Sequence, residues 1–181
     1  MKKVLIISGS PRKNGNSDTL CNEFMKGAQE SGNQVEKIRL AKKNIDFART
    51  CETCCKNEVC SCNQHDDVAG IIQKMIDADV IVLATPTYFY GMSAQLKALI
   101  DRTAERYKEI SNKEFYYIVA GADTRESALE RVVEEFRSFT TWCLDNPIEK
   151  GMIIATGVWQ IDDIKNTKFI KEAYEMGRNI K

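Results

Sequence analysis

The sequence is short of several features that would assign it to a specialised class of protein. Its 26 basic and 26 acidic residues leave no net charge, so no overall field favours nucleic acid or an anionic membrane as a partner. No apolar run approaches the length of a membrane span, and the run at residues 4–7 is too short for a signal peptide. We therefore expect a cytoplasmic protein that binds neither nucleic acid nor a membrane.

Familiar catalytic patterns are also missing. His65 is the only histidine, and a single histidine just after a cysteine is more often a surface or capping residue than half of a nucleophilic pair. No Ser–His–Asp pattern and no pair of carboxylates stands out. The sequence therefore offers no side chain as a catalytic acid, base or nucleophile.

What remains is the composition of a globular domain. The chain has 181 residues, of which 43% are hydrophobic and 29% are charged, enough for one buried core. No repeat, low-complexity tract or linker marks a domain boundary. We expect a single domain over residues 1–181, with one long irregular, cysteine-rich insertion loop at residues 41–64.

Strand-like and helix-like patterns alternate along the chain. Apolar runs predict five strands, at residues 4–7, 34–40, 80–84, 115–120 and 152–155. Helical spacing of apolar residues predicts helices between and after them, around residues 20–28, 68–76, 91–104, 129–143 and 164–176. Near-continuous apolar strands that alternate with helices are typical of a doubly wound, parallel α/β sheet.

The loop after the first strand suits a phosphate. Residues 8–17 are rich in serine, glycine and asparagine and lead into a helix N-terminus, which attracts anions. It is not a nucleoside triphosphate loop, because Asn16 stands where that motif has lysine. The residues fit a monophosphate, with Arg12 as a candidate cation. A plain turn with Ser17 or Asp18 as the helix cap explains the same residues.

Several motifs, in this order, resemble those of one family. They are Ser-Gly-Ser-Pro-Arg at residues 8–12 with Gly-Asn-Ser at 15–17, Asp-Asp at 66–67, Thr-Pro-Thr-Tyr at 85–88, Gln-Leu-Lys-Ala-Leu-Ile-Asp-Arg at 95–102 and Gly-Val-Trp at 157–159. They make nearly the whole chain similar to the NAD(P)H-dependent FMN reductase and iron–sulfur flavoprotein branch of the flavodoxin-like superfamily. The resemblance implies FMN and a five-stranded parallel sheet of order 2-1-3-4-5 with helices on both faces.

The same resemblance implies which residues hold FMN. It places Ser10, Asn16 and Ser17 on the phosphate with Arg12 close by. It sets the segment Pro86, Thr87, Tyr88, Phe89, Tyr90 and Gly91 along the isoalloxazine ring, and it puts Gly121 and Asp123 beside that ring.

The residues of the second loop fit this role. Pro86 fixes one backbone torsion, and backbone N–H groups from Thr87 onward could reach the polar edge of a flavin, where a donor stabilises the reduced form. The rings of Tyr88, Phe89 and Tyr90 would form flat apolar walls. The alternative is that these three aromatic side chains simply cover the core.

Five of the seven cysteines are crowded into residues 51–62, which indicates thiols, a metal site or redox chemistry. The resembled flavoproteins that carry a [4Fe–4S] cluster use C-x-x-C-x-x-C and a fourth cysteine. When Cys51 and Cys54 are matched to that pattern, Asn57 stands at the third position. We assign no metal ligand, and a cluster, zinc or free thiols all stay open. The candidates are Cys51, Cys54, Cys55, Cys60 and Cys62.

The resulting prediction is an oxidoreductase in which NAD(P)H reduces bound FMN, and the reduced flavin passes electrons to a quinone, another flavin or a similar acceptor. The chemistry would take place on FMN, with no catalytic side chain. The alternatives are a flavodoxin-type electron-transfer protein that serves a redox partner, with or without an iron–sulfur cluster, and a metal-binding regulatory domain. The resemblance also suggests a homodimer or homotetramer.

Overall fold

The computed structural model describes residues 1–49 and 64–181. Its strands are β1 (Lys3–Ser8), β2 (Gln34–Arg39), β3 (Val80–Pro86), β4 (Glu114–Ala120) and β5 (Ile148–Ala155). Its α-helices are α1 (Asn16–Glu30), α2 (Val68–Asp77), α3 (Ala94–Arg102), α4 (Glu126–Cys143) and α5 (Lys168–Arg178). Within these described ranges, no helix is both long enough and apolar enough to cross a membrane.

The five strands form one parallel sheet of order β2-β1-β3-β4-β5, as the resemblance implies. The strand order reverses between β1 and β3, which are direct neighbours. In such open sheets, the crevice at the carboxyl ends of the strands around this reversal is the usual place for a ligand. The fold therefore puts the two loops singled out by the sequence next to each other.

Alternate residues of each strand face opposite layers of helices. Leu5 and Ile7 of β1 belong to a core that includes side chains of α2, α3 and α4. Val4 and Ile6 belong to a second core, with side chains of α1 and α5. Both faces of the sheet are thus covered by helices, which explains why the buried strands have near-continuous apolar runs.

Several predicted boundaries differ from the structure. Strand β5 begins at Ile148, four residues before the predicted start at residue 152, and Ile148 is half exposed, so the edge strand begins without an apolar run. Helix α3 covers Ala94–Arg102 and is shorter than the predicted 91–104. Ile164 lies in a short 3-10 turn before α5. Cys143 ends α4 but is exposed, so it does not belong to the buried stripe.

The two chain segments that flank residues 50–63 are fastened together. Asn44 and Asp67 exchange two hydrogen bonds of 2.8 and 2.9 Å. The Arg102 guanidinium, at the end of α3, donates to the Asp66 carboxylate at 2.6 Å and to the carbonyl of Asp46 at 3.1 Å. Since the Asp66 and Arg102 side chains are only 2% and 6% exposed, this is a buried ion pair that fixes both segments to α3.

Helices α1 and α5 cross in contact at two glycines. A Cβ atom on Gly27 would lie 2.1 Å from the carbonyl oxygen of Tyr174, and one on Gly177 would lie 2.1 Å from the carbonyl oxygen of Phe24. Both obstacles are backbone atoms, which cannot rotate away as a side chain can. The absence of a side chain at these positions therefore sets the distance between the two helices, and with it the position of α1 against the sheet.

We expect Gly27→Ala to lower the free energy of unfolding by about 2 kcal/mol or more, because the added methyl group forces α1 and α5 apart. Gly70→Ala in α2 is the matched control, since a Cβ there has no described atom within 4 Å. That change should be neutral or stabilising by roughly 0.5–1 kcal/mol, the usual gain from replacing a helical glycine. Urea denaturation of both variants measures the difference, and equal effects would contradict the tight crossing.

Candidate active site

A cleft opens where the carboxyl ends of β1, β3 and β4 meet, and it encloses about 120 Å³. Eight of the residues predicted to bind a cofactor line it: Ser10, Arg12, Asn16, Ser17, Pro86, Thr87, Tyr88 and Gly121. The structure thus brings together both predicted loops and the first residue after β4. Phe89, Tyr90, Gly91 and Asp123 do not line this cleft.

The first loop leaves the N-terminus of α1 open. The capping residue is Gly15, which has no side chain to bond the helix, so the alternative interpretation with Ser17 or Asp18 as the cap is wrong. The Ser10 hydroxyl donates to the carbonyl of Arg12 at 3.0 Å and accepts from its N–H at 3.2 Å. A Cβ on Gly15 would lie 3.1 Å from this hydroxyl oxygen. Ser10 therefore shapes the turn, and the first-turn N–H groups of α1 remain available to an anion.

Two buried hydroxyl groups on the wall of the cleft lack a partner among residues 1–49 and 64–181. They are the Oγ of Ser17, a residue 2% exposed at the start of α1, and the Oγ1 of Thr87, just after β3. A buried polar group left unpaired costs roughly 1–3 kcal/mol, and a ligand in the cleft would supply the missing partner. Hydroxyl groups and helix N–H donors around a small cleft fit the phosphate and polar chain of FMN.

The second loop is a tight hairpin. Tyr88 and Gly91 exchange two backbone hydrogen bonds of 3.0 Å, and the Thr87 N–H donates to the carbonyl of Ala120 at 2.8 Å. The expectation that Thr87 N–H points at a flavin is therefore wrong, because that donor is used within the sheet. In the part of the chain that is described, the N–H groups of Phe89 and Tyr90 at the hairpin tip have no such bond.

The tip of this hairpin is strained. Phe89 and Tyr90 have φ angles of 48° and 61°, a region in which a turn normally uses Asn-Gly and in which other residues cost roughly 1–3 kcal/mol each. The side chain of Phe89 is fully exposed and those of Tyr88 and Tyr90 are about half exposed. The interpretation that these aromatic residues cover the core is therefore wrong. Strain combined with exposed aromatic rings is typical of a ligand site.

Asp123 ties the hairpin to the loop after β4. Its carboxylate accepts from the Tyr90 hydroxyl at 3.1 Å and from the Arg125 guanidinium at 2.7 and 3.0 Å. The Arg125 side chain and its backbone N–H hold the pKa of Asp123 well below its usual range. Asp123 is therefore an ionised bridge between the two loops, although it does not face the cleft.

A third wall comes from the segment after β5, which the sequence analysis did not assign to the site. Val158 and Trp159 line the cleft, and the carbonyl of Trp159 accepts from the Arg12 guanidinium at 3.2 Å. Asn16 contacts the same segment through a long 3.4 Å bond from the Ile164 N–H to its side-chain oxygen. The available signal was the position of Gly157-Val158-Trp159 directly after the last strand.

The candidate metal ligands Cys51, Cys54, Cys55, Cys60 and Cys62 lie outside the described residues. Within residues 1–49 and 64–181, no group of three or more histidine, cysteine or acidic side chains is arranged for a metal ion.

Comparison with known families matches residues 2–155 to the NADPH-dependent FMN reductases. An iron–sulfur flavoprotein of Methanocaldococcus jannaschii is 37% identical over 139 residues, which are 76% of this chain and 70% of that protein. An FMN-dependent NADH:quinone oxidoreductase of Pseudoalteromonas atlantica is 30% identical over 122 residues, 61% of this chain and 59% of that enzyme. Matches to two iron–sulfur flavoproteins of Archaeoglobus fulgidus span 44% and 48% of those proteins.

Among solved structures, the NAD(P)H:quinone oxidoreductase from Methanothermobacter marburgensis has a TM-score of 0.75 at 20% identity, covering 99% of both chains. That likeness confirms the flavodoxin-like fold. The family match confirms the resemblance of the sequence motifs, together with FMN as the cofactor and NAD(P)H as the electron donor. The chain therefore belongs to the NADPH-dependent FMN reductases, a family of flavin-dependent oxidoreductases.

Proposed function

We propose that this chain binds FMN in the cleft between β1, β3 and β4 and passes electrons from NAD(P)H to a quinone, another flavin or a similar small acceptor. The observation that carries the proposal is the pair of buried hydroxyl groups of Ser17 and Thr87, which have no partner in the described part of the chain. Ser17 lies at the start of α1 and Thr87 directly after β3, and both line one cleft at the point where the strand order reverses. A ligand with polar atoms along its length satisfies both.

In this proposal the protein binds and orients, and bound FMN supplies the transfer of electrons. Ser10, Asn16 and Ser17 hold the phosphate at the N-terminus of α1, with Arg12 at the rim. The ring lies along residues 86–91, where the N–H groups of Phe89 and Tyr90 are the open donors. Gly121 has no side chain to crowd the ring; a Cβ there would already lie 3.2 Å from the Thr87 side chain.

The runner-up function is a flavodoxin-type electron carrier without a substrate of its own. Such carriers are typically acidic, whereas this chain has no net charge. A relative that is named a quinone oxidoreductase also favours the enzyme. One relative is named an iron–sulfur flavoprotein, but a cluster is not part of this proposal, because Asn57 interrupts the cysteine pattern.

The chain reconstituted with FMN should oxidise NADPH or NADH continuously when benzoquinone or free FMN is added. The measurement is the decrease in nicotinamide absorbance, with chain lacking FMN as the control. Flavin binding without turnover, combined with rapid electron exchange with a redox protein, would favour the carrier. Absence of flavin absorbance after incubation with FMN and desalting would contradict both functions.

We expect Ser17→Ala to raise the Kd for FMN about tenfold, since one buried hydrogen bond to the ligand is lost. The same change should leave the melting temperature of the flavin-free chain unchanged or higher, because it removes an unpartnered hydroxyl group. Ser93→Ala is the matched control: the Ser93 hydroxyl is also buried without a partner among the described residues, but it does not line the cleft. An equal loss of FMN affinity in both variants would refute the assignment of Ser17.

A homodimer or homotetramer is part of the proposal. An apolar groove of about 730 Å³ runs between α3 and α4, and Trp142 on its rim is 83% exposed. The groove reaches Gly91, at the end of the hairpin, so a second copy seated there would lie beside the flavin.

Trp142→Glu should therefore shift the protein towards monomers, because a charge would be buried in the contact. Sedimentation velocity measures this shift, and Lys171→Glu on α5, a residue exposed on the opposite layer, is the charge control. A monomeric parent protein would overturn the assembly and leave the flavin site untouched.

We also propose that the protein is a single FMN-binding domain that works in the cytoplasm. An exposed thiol such as Cys143 persists best in a reducing compartment, which supports this location.

A further inference from the structure

A buried carboxylate lies directly behind the first loop. Asp18 is the third residue of α1 and is 1% exposed, and it does not line the cleft. One of its oxygens accepts from the Ser8 hydroxyl at 3.0 Å, and the other accepts from the backbone N–H of Asn14 at 3.0 Å. Asp18 thus connects the end of β1 to the loop that follows it.

The hydrogen bond from the Asn14 N–H to Asp18 holds the loop in an uncommon backbone conformation. Asn14 has a φ of 57°, and its carbonyl accepts from the Thr19 hydroxyl at 3.2 Å. Two residues of α1, Asp18 and Thr19, therefore hold Asn14 by its N–H and its carbonyl. Asn14 lies between Arg12 and Asn16, which both line the cleft. A loop fixed at Asn14 presents the donors on either side of it at fixed positions.

A carboxylate in this place needs compensation, since a negative charge in the first turn of α1 faces the end where a phosphate would bind. Compensation comes from β2: the Lys37 ammonium lies 2.7 Å from Asp18, and the Arg39 Nε lies 3.4 Å from it. Lys37 is held in turn by the Asn22 side chain at 2.7 Å. Burial alone would raise the pKa of Asp18, but Lys37 and the bonds from Asn14 and Ser8 outweigh it and leave that pKa below its usual value.

A carboxylate that only capped the helix would bond N–H groups of its own first turn, whereas Asp18 bonds Ser8 and Asn14, which precede the helix. We propose that Asp18 is a positioning residue, which sets the first loop for the phosphate group and so makes the site select phosphorylated flavin, FMN, over riboflavin. Lys37 and Arg39 more than balance its charge, so Asp18 adds no net repulsion and acts on the selection through the geometry of the loop. This inference rests on the proposed FMN function.

The test compares the Kd values for FMN and for riboflavin, both measured by quenching of flavin fluorescence. Asp18→Ala should raise the Kd for FMN about tenfold or more and leave the Kd for riboflavin nearly unchanged, because only the phosphate contacts depend on the loop. The opposite result is also well defined. If Lys37 and Arg39, freed of their partner, attract the phosphate, FMN will bind as tightly as before or more tightly, and the proposal is overturned.

Asp66→Asn supplies the matched control, because Asp66 is the other buried carboxylate of the described chain that is paired with an arginine. It should lower stability and leave the ratio of the two Kd values unchanged. An equal change of the ratio in this variant would show that general destabilisation, and not the loop, weakens FMN binding.

Two milder changes keep the test decisive if Asp18→Ala does not fold. Asp18→Asn keeps the shape of the side chain, and Thr19→Val loosens Asn14 without touching the buried charges; both should lower the preference for FMN. Parent protein that binds neither flavin would refute the proposed function itself. Parent protein that turns over with FMN, beside variants that keep its preference, would refute the role of Asp18 alone.

Discussion

The direct pairing of β1 with β3 is the constraint on which the site depends. Ser8 pairs with Ala84 at the carboxyl end of the two strands, and the Gly9 N–H continues this contact with a 2.8 Å bond to the carbonyl of Ala84. A Cβ on Gly9 would lie 2.5 Å from the Ser93 hydroxyl oxygen and 3.2 Å from the carbonyl oxygen of Ala84, so a larger residue would have to displace the Ser93 side chain where the loops leave the sheet. The cleft is the space between the two loops, beyond the point where they diverge.

Stability and ligand binding make opposite demands around this cleft. The interior of the sheet is paired and apolar, whereas around the cleft two buried hydroxyl groups lack partners within residues 1–49 and 64–181, and two aromatic residues have positive φ. Each of these features costs free energy in the flavin-free chain. A bound cofactor that takes up the two hydroxyl groups would offset part of that cost.

The sequence predicted the parts of the fold that depend on local patterns. Buried strands such as residues 80–84 and helices with an apolar stripe were identified because burial on two faces, or on one, imposes the pattern directly. The resemblance of the motifs supplied the strand order and FMN. Strand β5 was placed too short, since its first residues lie at an exposed sheet edge and carry no apolar signal.

Features that arise from contacts between distant segments were not predicted. The wall around Trp159 joins the site only because β5 ends beside β4, and the use of the Thr87 N–H within the sheet follows from its contact with Ala120. From the sequence, Asp18 was considered only as a helix cap, because its partners Lys37 and Arg39 lie on strand β2, about twenty residues away along the chain. Local sequence gives the type of each side chain, but the tertiary fold decides which donors remain free.

The charges and donors around the first loop explain how a chain without net charge can hold the phosphate of the proposed cofactor. Lys37 and Arg39, the cations behind the first loop, face Asp18, which balances one of their two positive charges, while the Arg12 guanidinium donates to the carbonyl of Trp159. At the proposed phosphate site the donors are mainly neutral, namely first-turn N–H groups, hydroxyl groups and an amide, with the Arg12 guanidinium at the rim. Such donors bind only at short range and in fixed directions, unlike a cluster of free cations. In the proposed site, recognition then depends on the shape of the loop more than on charge, so a residue that shapes the loop would matter although it does not line the cleft.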